Sequence, residues 1–200
     1  MKKFMIGFVA AAVVSGTMAQ AAESVVGFVE VGPGLAIPAT KGTNRAHGGQ
    51  ATAGIYLGQS DLGAFRIAGT LGYYSGSKEE TLAGIVKTGK SKYEKMPLFQ
   101  SVAYEFNLAP VRLRLGPLAG VMFSKGKYNG LNLAETGRSE SLVFHSSSGN
   151  STDFTYGGLA GLAVDLTDSL YVTADYIWLG TTEKGSDGTH LATLSLGFKF

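Results

Sequence analysis

The last eleven residues, His190-Leu191-Ala192-Thr193-Leu194-Ser195-Leu196-Gly197-Phe198-Lys199-Phe200, alternate between two kinds of side chain. Ala192, Leu194, Leu196, Phe198 and Phe200 share one face, and Thr193, Ser195, Gly197 and Lys199 share the other. A period of two belongs to a strand, whose successive side chains leave opposite sides of the pleat. The same alternation recurs along the chain and predicts strands near 25–35, 50–59, 64–75, 96–107, 111–124, 153–166, 169–180 and 189–200. Short turns at Ser60–Gly63, Leu108–Pro110 and Thr167–Asp168 alternate with longer polar segments at 36–49, 76–95, 125–152 and 181–188, which read as loops. Short and long connections in alternation predict an all-β, eight-stranded antiparallel up-and-down barrel with both termini at the short-turn end.

The first residues read differently. Lys2 and Lys3 precede an apolar run from Phe4 to Val14, and Ala19-Gln20-Ala21 has the small-x-small form of a signal-peptidase site. Residues 1–21 are therefore expected to be a cleaved signal peptide, and 22–200 a single barrel domain. Removing Lys2 and Lys3 takes the 17 Lys and Arg residues to 15, which balances the 15 Asp and Glu residues. A neutral chain offers no global field for nucleic acid, so no nucleic-acid partner is expected. With no cysteine, the chain excludes disulfide scaffolds, thiolate metal sites and cysteine nucleophiles.

Alternation does not say which face of the barrel meets lipid. Two patterns do. The polar face is mostly small residues with isolated charges: Glu30, Glu105, Asp165 and Asp175 against Arg66, Arg112, Arg114 and Lys199. Four acids matched by four bases suit a narrow lumen, where an unpaired ion costs several kcal/mol. Tyr56, Tyr74, Phe99, Leu118 and Met122 fall on the same inward face. The apolar face sorts its aromatics by height. Tyr73, Phe123, Phe154, Tyr156, Tyr176 and Trp178 fall at one level, and Phe65, Tyr104, Phe106, Phe198 and Phe200 at the other, with aliphatic residues between. Two aromatic girdles around an aliphatic belt mark a transmembrane barrel. Gln100 is expected on this lipid face near mid-strand, and a bulge at Gly116-Pro117 is expected to absorb the proline.

These residues carry a resemblance. The terminal strand Leu194 to Phe200, the stretch from Asp153-Phe154-Thr155-Tyr156-Gly157-Gly158 through Asp165–Leu170 to Asp175-Tyr176, the segment Val102–Asn107 and the glycine-spaced Arg112–Met122 are similar to strands of one family. That family is the small eight-stranded outer-membrane barrels of Gram-negative bacteria, OmpX/Ail-like and like the membrane domain of OmpA. The resemblance implies an outer-membrane location among lipid and lipopolysaccharide, and a final aromatic pair, Phe198 and Phe200, read by the barrel assembly machinery. It also implies a structural or adhesive role through the extracellular loops, with a host surface polysaccharide or protein as the partner of such a role.

No cofactor, metal site or catalytic residue is expected. His145-Ser146-Ser147 has the His-x-Ser spacing of the lipid A deacylases, but Ser148 stands where their motif has asparagine. His47 and His190 have no clustered carboxylates beside them in the sequence. A lipid A-modifying enzyme and a narrow pore remain the alternative functions. Eight strands leave an interior only wide enough for side chains, so the lumen is expected to be plugged; a monomer is expected. Lys87, Lys90, Lys92 and Lys95 lie close together in the second long segment, and Lys41 and Arg45 in the first. Together they form a candidate anion patch for lipopolysaccharide phosphates or sulfated polysaccharide.

Overall fold

The computed structural model describes residues 25–38, 45–82, 86–136, 139–182 and 188–200. Residues 1–21 and Lys41 lie outside the described residues. Eight strands follow one another: β1 (Val26–Pro38), β2 (Ala46–Ser60), β3 (Gly63–Leu82), β4 (Val86–Leu108), β5 (Val111–Thr136), β6 (Ser139–Asp165), β7 (Leu170–Thr181) and β8 (Thr189–Lys199). Each pairs antiparallel with its sequence neighbour, and β8 returns to β1 to close the ring. Closure leaves no open edge within the barrel, so its backbone N–H and C=O groups pair from strand to strand rather than with water, save beside the prolines.

At the seam, Phe200 and Gly27 exchange both backbone hydrogen bonds at 2.9 Å. The alternation seen in the sequence is the alternation of the walls. Phe65, Phe154, Tyr176, Trp178 and Phe198 are about half exposed on the outward face, while Tyr56, Tyr74 and Phe99 are buried inside. Rings touch within each outward aromatic level: Phe65 meets Tyr104 edge-on at 5.0 Å in one, and Tyr156 meets Trp178 at 6.1 Å in the other.

Three features differ from the sequence expectation. First, the segments 76–95 and 125–152 are not loops over most of their length. β3 runs on to Leu82, β4 starts at Val86, β5 runs to Thr136 and β6 starts at Ser139. Where their side chains are described, at Ser124–Asn129 and Ser146–Ser151, both faces are mostly polar and exposed, so the apolar-polar alternation that betrays a strand is lost while the pairing continues. Second, His145 lies within β6 opposite Gly130, not in a loop. Third, there is no bulge at Gly116-Pro117. The β4–β5 register is the same before and after it, with Ser101 opposite Leu118 and Tyr104 opposite Leu115. Pro117 faces outward and pairs with Gly158, and the ladder to β4 loses only its own pair with Val102 and that of Gly116 with Ala103. The register shifts instead lie between Leu57 and Ser60 and between Glu80 and Thr81.

The interior has two tiers. Toward the long ribbons it is apolar, with Tyr74, Phe99, Leu118, Met122, Ile177, Leu179 and Leu191 in one buried cluster. Toward the short turns it is charged.

Candidate functional site: a charged lumen and a projecting sheet

The eight interior charges form one connected network. Glu30 on β1 receives Arg66 at 2.7 Å on one oxygen and Arg114 at 3.0 Å on the other. Arg114 also lies 3.3 Å from Glu105 and 3.4 Å from Asp175. Arg112 bridges Glu105 and Asp165, the latter at 2.7 Å, and Lys199 reaches Asp165 at 2.9 Å. Desolvating an ion costs several kcal/mol, so a buried carboxylate persists only where cations and donors surround it. Glu30 has both: besides two guanidiniums it accepts a hydrogen bond from the Tyr171 hydroxyl at 3.0 Å. The network runs from dry to wet. The Arg114 and Glu30 side chains are 0% and 2% exposed, whereas Asp165 at the short-turn mouth is 41% exposed. There a vestibule of about 220 Å³ opens beside Tyr56, Glu105, Arg112, Asp165 and Lys199.

Two glycines make room for this network. Glu105, Arg114, Gly161 and Asp175 lie side by side on β4, β5, β6 and β7. A Cβ on Gly161 would stand 1.9 Å from an Asp175 oxygen and 3.0 Å from Arg114 Cγ, so the absent side chain is what lets the arginine reach across a strand. Gly197 plays the same part for Tyr171, its cross-strand partner, whose ring would lie 2.2 Å from a Cβ there. With the ring over Gly197, Arg112 stacks on it with its guanidinium carbon 5.0 Å from the ring centre.

At the opposite end, β3, β4, β5 and β6 continue past the barrel as a four-stranded sheet. Pairing runs to Leu82 opposite Val86, to Gly89 opposite Gly130, and to Thr136 opposite Ser139. From Phe123 in the aromatic level to Thr136 this is about 40 Å of strand. The neighbours stop early: β2 meets β3 only as far as Ser75, and β7 meets β6 only as far as Thr155. Beyond these points no described strand is laddered to either edge of the projecting sheet.

The candidate anion patch is divided by this sheet. Lys90 and Lys92 lie on the outward face, but Lys95 sits an odd number of residues away and turns inward to donate to Thr189 at 2.7 Å. Arg45, His47 and Lys92 line an outward groove of about 880 Å³ with Tyr73, Ser75, Ser77 and Glu94. The side chain of Lys87 lies outside the described residues. Sequence reading missed Lys125 and Lys127, which the register sets opposite Glu94 and Lys92 on that outward face. Their signal was the alternation Lys125-Gly126-Lys127, legible only if β5 is continued past Phe123. Of the remaining histidines, His190 stacks on Tyr176 with ring centres 5.7 Å apart and shares a hydrogen bond with its hydroxyl.

Solved structures share this architecture. A major outer membrane protein from Thermus thermophilus superposes with a TM-score of 0.60 at 13% identity, covering 87% of this chain and 99% of that one. Ail, the attachment invasion locus protein of Yersinia pestis, gives 0.57 at 15% identity, with 88% and 98% covered. Neisserial surface protein A gives 0.51 at 16% identity, with 88% and 97% covered. At such identities the likeness is one of fold. No curated protein matches the sequence significantly. The sequence profile of the outer membrane protein beta-barrel domain, however, matches residues 7–200. With the closed eight-stranded ring and its outward aromatic levels, that match places the chain in the bacterial outer membrane, as a member of the outer membrane protein beta-barrel domain family.

Proposed function

We propose that this is a non-enzymatic surface protein, a plugged barrel that holds up a projecting sheet to engage phosphate- or sulfate-bearing saccharides. One observation carries the reading. Lys92 stands directly opposite Lys127 on the outward face, in a sheet where like charges directly opposite repel. An anion between them converts that repulsion into two charge-assisted contacts. Arg45 and His47 line the same groove as Lys92, immediately above Tyr73 of the outer aromatic level. The outward face of the sheet continues the lipid-facing wall, so the anion beside it is a phosphate of lipopolysaccharide in the same leaflet.

A second reading, a sulfated host polysaccharide, uses the same cations from above. Ail has been solved with the heparin analogue sucrose octasulfate. That likeness bears on the fold, and the anion reading here rests on this chain's own lysines. In the same reading Phe198 and Phe200 serve as the terminal signal for the assembly machinery.

The test is a double variant, Lys92→Ser with Lys127→Ser. Lipopolysaccharide binding should fall about tenfold and lose part of its salt dependence. Heparin binding measured alongside separates the two sources of anion. Unchanged binding of both would remove the proposal. Lipid A of unaltered mass in cells carrying the protein is the expected result for a non-enzyme, and a changed acyl pattern would make it a lipid A-modifying enzyme instead.

A further inference from the structure

The lipid-facing wall contains one polar anomaly. Between the two aromatic levels, Gln100 is the outward-facing side chain among the described residues that carries hydrogen-bonding atoms. Its depth follows from the register. It pairs with Gly69, which sits midway along β3 between Phe65 of one aromatic level and Tyr73 of the other. On its other side it pairs with Ala119, and Gly69 in turn pairs with Ala53. Ala53, Gly69, Gln100 and Ala119 thus form one continuous row, in which an amide projects from a wall of minimal side chains. A Cβ added at Gly69 would meet nothing within 4 Å, so the space beside the amide is open.

Hydrocarbon offers an amide no partner, and an unmade hydrogen bond there is costly. Headgroups and water lie too far above and below a mid-belt position to help. The occupant must present both a donor and an acceptor at that depth, with little bulk around them. A second copy of this chain does so by construction. Two copies inserted the same way carry Gln100 at the same depth, and a two-fold axis along the membrane normal turns one amide to face the other. Each carboxamide then donates to and accepts from its mate. The same axis sets β3 of one copy against β5 of the other, so the minimal residues Gly69 and Ala119, which flank Gln100, line the contact and permit close approach. We infer that the protein forms a two-fold dimer in the membrane through the β3–β4–β5 wall, with Gln100 paired to Gln100 at its centre, in place of the monomer expected from the sequence.

The chain contains no cysteine, so cross-linking can be aimed. Donor- and acceptor-labelled full-length chains, each labelled at Asp168→Cys in a short turn, are diluted with lipid in vesicles. The unmodified wall should give energy transfer that falls as lipid is added. Gln100→Leu should weaken apparent dimerisation about tenfold. It replaces an amide by an apolar side chain on a lipid face, so its heat-shifted band in SDS should persist. Mixed chains carrying Gly69→Cys and Ala119→Cys should be joined by a short bifunctional maleimide, whereas Leu194→Cys, four strands away around the ring, should not. Energy transfer unchanged in Gln100→Leu, no lipid-dependent transfer in the parent, or equal cross-linking at Leu194 would each overturn the dimer.

Discussion

Glu30 and Asp165 are both acids of the same lumen network, yet their surroundings assign them unequal weight. Glu30 is enclosed, with Arg66, Arg114 and Tyr171 on its two oxygens. Asp165 binds Arg112 and Lys199 at a mouth where water reaches it. Removing Glu30 leaves two guanidiniums facing each other in a dry interior. The expected cost of Glu30→Ala is about 3–5 kcal/mol, against roughly 0–1 kcal/mol for Asp165→Ala. Reversible unfolding from lipid vesicles in urea measures both. Equal costs would mean that water penetrates as far as Glu30. The residue types of this network were legible from the sequence, because eight charges on an otherwise small-residue face stand out. Their connectivity was not. Which base meets which acid depends on the shear of the barrel and on Gly161, where an absent side chain lets Arg114 reach Asp175. Neither quantity is written in the alternation.

At the scale of the strand, the sequence was legible where a membrane imposed two different solvents on the two faces. β7 and β8 show this best: apart from His190 at the aromatic level, each outward position is apolar or glycine, and each inward one is polar, small or part of the buried interior cluster. Above the membrane that contrast disappears. Ser124 to Asn129 and Ser146 to Ser151 are mostly polar on both sides, so backbone pairing is the main thing that marks them as strands, and pairing leaves no trace in a single sequence. Pro117 misled for a related reason. Its missing N–H interrupts the β4 ladder beside it, but the register resumes unchanged, so no extra residue is inserted.

The extension of β5 and β6 consequently contributes little to the barrel. Joining Gly126 to Gly149, which face each other across the ribbon, by a short turn should shift barrel stability by about 1 kcal/mol or less. It removes the tip while keeping Lys92 and Lys125. Urea unfolding of the shortened chain checks the cost, and a large loss would mean that the projecting sheet is an integral part of the fold.

The molecule as a whole places two dissimilar interior tiers in series. Near the short turns, ion pairs span the lumen; near the projecting sheet, Phe99, Leu118, Met122, Ile177, Leu179 and Leu191 fill it. In the proposed reading of a plugged barrel, the two tiers would exclude a permeating ion by different means. The apolar tier gives it no ligand, and the charged tier has its groups already committed to one another. A ring of eight strands has little width beyond what these side chains occupy. The parent protein, folded into a planar bilayer, should therefore show no large steady current, and it should run at different positions in SDS before and after boiling. Trimming one tier alone, by Phe99→Ala with Met122→Ala or by Glu105→Ala with Arg114→Ala, should leave the current near baseline because the other tier still closes the path. Trimming both should open a steady conductance. The four-fold variant needs its heat-shifted band as proof of folding, since loss of both tiers removes much of the interior contact. Conductance in the parent, or a conductance from the apolar trim alone as large as from the combined one, would mean that the charged tier is a wet filter rather than a seal.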